Sequence, residues 1–418
     1  MRTLLALVCL LSVASATTYY VAKTGEDDSA GTASAPWLTI NHAAGVVIAG
    51  DSVLVAAGTY AELVDFNGTA GTAAAPVVFR SSAGLSTIIG GVVYFNAEHY
   101  RLEAFKVLYD STMAGQGVKF DADSCQLNDC EVVPPVTPPA YSTGVLTGGG
   151  PLRGVVIHGN TVHGFGSGGH GHGIYASGIH LTVTNNTVYD NEKQGIQVYP
   201  ELESSEVAYN VSYDNRGSNG IILLGFDNSV HHNISYGNNE AGIHVYNPQE
   251  GSSNAIFNNV FYDNYFGISI ADGSLGSDTV RNNISHNNGA YQLYVGPGAT
   301  VVLDYNCYWP DTNQWGNEAF SWNVSTGSFA EYQAATGQDA HGMLADPLFV
   351  DTTGPVYDFH LTVGSPCIDA GDPATTAHFD FDGNWVDGDY DIGAYEYGGS
   401  PTVQDTMRVV QKLMRMGW

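Results

Sequence analysis

The chain has 418 residues, with 42 Asp and Glu against 13 Lys and Arg, a formal charge of −29. So acidic a surface opposes nucleic acid and anionic membranes as partners, and no stretch beyond residue 16 is long and apolar enough to cross a bilayer. Charged residues make up only 13% and Gly numbers 51, a composition that fits one elongated, turn-rich domain.

Residues 1–16, MRTLLALVCLLSVASA, carry one Arg, an apolar run and a small-residue exit, which read as a signal peptide. A secreted or cell-surface protein is therefore expected. Residues 17–66 are expected to form an N-terminal cap and first coil, because the end of a solenoid must be covered. From 67 to 310 the chain reads as stacked coils, irregular from about Pro76 to Val133 and regular from Val155 to about Trp309. The regular part is set by a ladder of asparagines, Asn160, Asn186, Asn210, Asn233, Asn259, Asn283 and Asn306, spaced 23 to 26 residues apart. A second Asn recurs five positions on at Asn191, Asn215, Asn238, Asn264 and Asn288, and a Gly follows at Gly173, Gly195, Gly220, Gly242 and Gly267.

A repeat this short cannot bury its own apolar face, so the units must stack. Asn tolerates left-handed backbone, which suits the corner of a coil, and stacked amides can hydrogen-bond from coil to coil. Three residues before each ladder Asn stand Ile157, Val183, Val207, Val230, Ile256, Val280 and Leu303. One residue after it stand Thr161, Thr187, Val211, Ile234, Val260, Ile284 and Cys307, read as a second inward column. Period-two pairs of β-branched residues predict short strands, about three per coil. The fold class is all-β, a right-handed parallel β-helix with capped ends.

Cys307 is expected as a packed thiol in the inward column, while Cys125 and Cys130 could pair or merely stack. The sequons at Asn185, Asn210, Asn233 and Asn283 arise from the ladder and read as structural. Residues 311–400 form a β-rich segment, and 401–418 a short tail with Met407, Val410, Leu413 and Met414 at helical spacing.

The phrases YYVAKTG, APWLTI and GDSVLVAAGTY resemble the opening of secreted pectate-lyase-like β-helix proteins. ADPLFV, GSPCIDAGDP and DIGAYEY resemble the closing segment of bacterial surface β-helix proteins. The resemblance implies a groove over the strand that starts at the Gly series, with polysaccharide as partner. It does not fix the activity, since lyases, hydrolases, epimerases and non-enzymes share the fold.

On that strand Tyr175, Gln197, Ile222, His244 and Ser269 are expected to face outward at Gly-plus-two, with Ser177, Tyr199, Leu224, Tyr246 and Ala271 at Gly-plus-four. Tyr rings stack on sugar faces, which makes Gln197, His244 and Tyr246 the expected substrate contacts. Lys193 and Arg216 precede the strand on adjacent coils in a chain where basic residues are scarce. β-Elimination at a uronate needs its carboxylate neutralised, then a base and a leaving-group acid. The expected roles are Lys193 or Tyr199 as base, Arg216 and Gln197 at the carboxylate, and His172 or Tyr175 as acid. The reading is a monomeric polysaccharide lyase for uronate-containing glycans. One alternative is a glycoside hydrolase with a carboxyl pair drawn from loops after the strand, where Glu201, Glu203, Glu206, Asp227, Glu250 and Asp272 lie. Another is a binding or surface-structural protein without chemistry. Ca²⁺ is the one cofactor considered, with Asp380, Asp382 and Asn384 as the expected structural loop for it. The charge of −29 opposes a polyuronate unless the groove is locally positive, or else the ligand is neutral.

Overall fold

The computed structural model describes residues 16–110, 115–135, 142–148, 150–166, 171–353, 357–375, 379–386 and 389–398. The segment read as a signal peptide (save Ala16), most of the Pro-rich insertion at 134–139 and the tail from 401 lie outside these. Each regular coil contributes three short strands, as in Thr182–Thr184, Thr187–Tyr189 and Ile196–Glu203. They stack on their counterparts into sheets of 12, 12 and 13 strands, here the leading, corner and groove sheets, almost all of them parallel. This is the right-handed parallel β-helix expected.

In the leading sheet Ile157, Val183, Val207, Val230, Ile256, Val280 and Leu303 pair in one row. All are at most 2% exposed, and full burial of each such side chain contributes about 1.5–3 kcal/mol. The ladder is a chain of amides. Each Nδ2 from Asn160 to Asn283 donates to the Oδ1 of the next ladder Asn at 2.9–3.0 Å. The same Oδ1 also takes a backbone N–H, as from Asn186 to Asn210 at 3.0 Å. Asn306 then donates to Asp339 Oδ1 at 3.0 Å, and the chain ends on an acceptor. A second ladder runs from Asn191 to Asn288 beside Gln292. A third, at the remaining corner, links Asn228 and Asn254 to Asp278.

The left-handed corner residue is the one before the ladder Asn, not the Asn itself. Asn185, Tyr209, His232, Asn258, Asn282 and Tyr305 have φ between 50° and 58°. That corner turns the ladder side chain inward, so strict alternation then sends the plus-one residue outward and plus-two inward. Val162, Val188, Phe261 and Tyr308, all at plus-two, are fully buried in the main core. The expected inward column at plus-one is therefore an outward one. Ile234, Val260, Ile284 and Cys307 are buried nonetheless, in a separate cluster with Phe359, Leu361, Cys367, Ile392 and Ala394.

That second cluster exists because the C-terminal segment folds back over the outside of the coils. The antiparallel pair Phe349–Asp351 and Asp358–Leu361 covers Tyr236 and Tyr262. Outward-facing corner residues anchor it: Asn258 Nδ2 donates to the carbonyls of Asp391 and Gly393 at 3.1 and 2.9 Å. Asn282 Nδ2 donates to Thr375 Oγ1 at 2.8 Å, and Arg281 pairs with Asp372. Cys307 and Cys367 meet beneath this cover, and all four described cysteines are free thiols. At the other end the helix Ile40–Val46 packs Ile40, Ala43 and Ala44 over the first coil. The helix Phe329–Thr336, with its Ser328/Glu331 capping box, closes the last coil with Phe329 and Tyr332.

Two outcomes follow for stability. Asn233→Leu strands the Asn210 N–H, which donates to Asn233 Oδ1, and takes one hydrogen bond each from Asn210 Nδ2, Asn259 Oδ1 and Val207 O. It should cost about 1–3 kcal/mol for each stranded group, read by denaturant unfolding. Burial pushes the Asp339 carboxyl from 3.8 up to about 7, although Tyr308 and Asn306 donate to it. A carboxyl with a raised folded-state pKa contributes stability that is full below 3.8 and lost as pH rises through about 7. Asp339→Asn, which keeps the acceptor, should therefore flatten this part of the pH–stability curve while leaving the fold intact.

Candidate functional site

The groove sheet presents one continuous outward row, Asp65, Tyr94, Lys119, Leu146, Tyr175, Gln197, Ile222, His244, Ser269, Tyr294 and Ser321, one residue per coil. The row is held in place by the Gly series. A Cβ at Gly195 would collide with Ser212 Oγ and Asn215 Nδ2, and one at Gly220 with Ser235 Oγ and Asn238 Nδ2. The second amide ladder thus requires glycine where the groove strand begins, which fixes the phase of every outward residue beyond it.

Around Tyr175 the side chains expected from the sequence come together in part. The His172 and Tyr175 rings lie 5.5 Å apart at 72°, and Tyr175 and Tyr199 6.3 Å apart at 47°. Burial, then the neighbouring Tyr199, raises the Tyr175 phenol, so it keeps its proton and acts as a donor. Gln197 is its direct neighbour, and Gln197 Oε1 is buried with no donor among the described residues. Such an acceptor gains from a ligand hydroxyl or amide. The Lys193 amide donates to Gly171 O at 2.8 Å, which ties its loop to the residue before His172. Lys193 enters none of the ion pairs that Lys and Arg make among the described residues.

Two expected positions shift. Tyr199 leaves the Gly-plus-four column, because residues 199–201 bulge opposite the single Leu224 between the Val198↔Leu223 and Leu202↔Gly225 pairs. The bulge leaves Tyr199 41% exposed beside Tyr175, while Leu224 pairs with Tyr246 in the expected column. Arg216 turns away from the row. Its Nε lies 3.1 Å from Asp190 Oδ1 and its Nη2 donates to Asp190 O at 3.0 Å, at the far end of the preceding loop. A cation that the sequence reading missed takes a place in the row instead. Lys119 stands two coils before Tyr175 and pairs with Asp121 at 2.7 Å. Its signal was Gly117, which precedes it by the same two residues as in the later coils but lies among irregular ones.

Farther along, His244 Nδ1 bonds Ser269 Oγ at 3.0 Å. Burial lowers its pKa, against the opposing pull of Glu240 and Asp272. Asp272 accepts from Tyr294 OH at 3.0 Å, and Glu240 accepts from Ser218 Oγ at 2.8 Å. An aromatic row on the corner sheet is of another kind. His163, Tyr189, Tyr213 and Tyr236 stack at 4.5, 4.8 and 4.9 Å within 8° of parallel, so their faces are spent on one another.

The expected Ca²⁺ loop does not form a donor set. Asp380 braces its own turn, accepting from Asn384 N and Nδ2 and from Glu396 N. Asp382 accepts from His360 Nε2 at 2.9 Å instead. Among the described residues no three His, Cys, Asp or Glu side chains converge as metal ligands.

Residues 107–251 and 143–308 match the family described as right handed beta helix region. The uncharacterised protein YwoF of Bacillus subtilis (strain 168) is 35% identical over 80 residues, 19% of this chain and 17% of that protein. The chain thus spans about a sixth of that relative's length. Among solved structures, the XylC complex with xylose superposes at a TM-score of 0.58 and 12% identity, covering 92% of this chain and 99% of that one. Pectate lyase Pel9A superposes at 0.50 and 15% identity, covering 92% and 97%. At such identities the likeness is one of fold. By fold, this chain is a right-handed parallel β-helix protein.

Proposed function

We propose that the protein is a carbohydrate-active enzyme that cleaves uronate-containing polysaccharide by β-elimination, outside the cell or on its surface and as a monomer. The observation that carries this reading is the single outward row in which Lys119, Leu146, Tyr175 and Gln197 succeed one another, flanked by His172, Lys193 and Tyr199. Coils lie about 4.8 Å apart, so such a row suits an extended chain of sugars. The Gln197 amide faces the uronate carboxylate, joined by Lys193 where Tyr199 is the base, since Arg216 is engaged by Asp190. Lys119, three coils before Gln197 and paired with Asp121, meets a sugar farther along the row. Lys193 or Tyr199 takes the C5 proton. The C4–O bond then breaks as the C4=C5 double bond forms, and Tyr175 or His172 protonates the departing oxygen.

A panel of polysaccharides followed by the ultraviolet absorbance of unsaturated uronate tests this directly. Lys193→Ala or Tyr199→Phe, whichever removes the base, should lose about 10²-fold or more in rate, with stability changed by only about 0.5 kcal/mol. Arg216→Gln should retain the activity. New reducing ends without that absorbance would overturn elimination and favour hydrolysis. The hydrolytic reading draws on Glu240 and Asp272, the two carboxylates that both act on His244.

A further inference from the structure

We infer that the C-terminal half of the groove binds neutral sugar residues, so that the ligand carries acidic and neutral sugars in separate stretches. This rests on the glycan reading above and names the class of glycan. Past Gln197 the row runs into an aromatic wall. Phe266 and Tyr291 are paired neighbours on the groove sheet with rings stacked at 5.8 Å, and Tyr294 lies 5.8 Å from Phe266 and 6.2 Å from Tyr291. Tyr265 packs on Phe266 at 4.7 Å, and Trp315 lies 6.1 Å from Tyr265. Trp315 is carried by a turn in which Asn313 Oδ1 accepts from Trp315 N and Asn317 N, both at 3.0 Å. Gln314 N–H donates to Gly289 O and so pins the turn to the coil. Yet Trp315 is 58% exposed and Tyr265 42% exposed, so two large aromatic faces are open to solvent.

Charge selects the occupant. Beyond Lys193 the described residues hold only two Lys or Arg side chains, Arg216 and Arg281, and the charged His360 is taken up by Asp358 and Asp382. Arg216 is tied to Asp190, and Arg281, on the leading sheet, to Asp372. The groove there faces Glu240 and Asp272 instead, which repel a uronate at short range. An uncharged pyranose has no such penalty, and its C–H face stacks on exposed aromatic rings while its hydroxyls reach carboxylates such as Asp272.

The test is calorimetric titration of the intact protein with xylo-, cello- and galacto-oligosaccharides and with oligogalacturonate, repeated on Trp315→Ala and Tyr265→Ala. At least one neutral series should bind, and Trp315→Ala should weaken it about tenfold, the scale of one lost stacking contact. Oligogalacturonate should be indifferent to Trp315→Ala and weakened by Lys193→Ala. Absence of binding by every neutral series, or equal loss of both ligand types in Trp315→Ala, would overturn the inference. Because no turnover is read, neutral binding at Trp315 without elimination activity sinks the lyase reading and keeps this one. Elimination activity with no effect of Trp315→Ala on any neutral ligand does the reverse.

Discussion

The buried amide chain at the corners is the constraint on which the rest of this structure depends. Every ladder Asn both donates and accepts along the axis, so the chain has a direction and must end on an oxygen that accepts. Asp339 does this for the first ladder and Asp278 for the third. Buried amides without partners are costly, so the column fixes the register of each coil on the next. A slip of one residue would strand two amides and turn aliphatic side chains out to water. The groove inherits its order from this. The second ladder fills the space of a Cβ at Gly195 and Gly220, so the strand that follows begins at the same point on each of these coils.

The same corners decide what lies outside. A left-handed residue precedes each inward Asn, and its side chain faces outward. In the NNISHNN phrase, Asn282 anchors the C-terminal segment while Asn283 joins the ladder. Outward apolar residues at Ile234, Val260 and Ile284 are then covered by Phe359, Leu361 and Ile392. Among the described residues the C-terminal segment does not extend over Tyr175, Tyr199 and Gln197. The leading and corner sheets hold the cover.

Much of this was legible in the sequence. The Asn and Gly periods defined the coils, the groove strand and the outward row from Tyr175 to Ser269, because corner chemistry repeats with the coil. Parity at the plus-one column was misread, since an inward-pointing corner residue resets the alternation that strands otherwise follow. Tyr199 moved because a bulge depends on how one strand's length compares with its neighbour's, which no single repeat records. Arg216 was placed in the groove by its loop position alone. Its partner Asp190 lies on the preceding coil, and a long side chain follows its counter-charge. Lys119 went unseen because the coil that carries it lacks the Asn phrase. The Asp380 loop matched a calcium pattern in composition, but a turn braced from within uses the same oxygens.

The net charge of −29 makes local charge the hinge of the functional account, since Lys119 and Lys193 must outweigh the field of the whole protein at one place. A crystal structure of the intact protein with bound oligogalacturonate tests this most directly. The account predicts sugar rings laid along the row from Lys119 to Gln197, with a carboxylate at Lys119 or Lys193 and a ring against Tyr175 or Tyr199. An oligogalacturonate found at the Trp315 end, on another sheet, or nowhere on the protein at concentrations that saturate its binding in solution would contradict it.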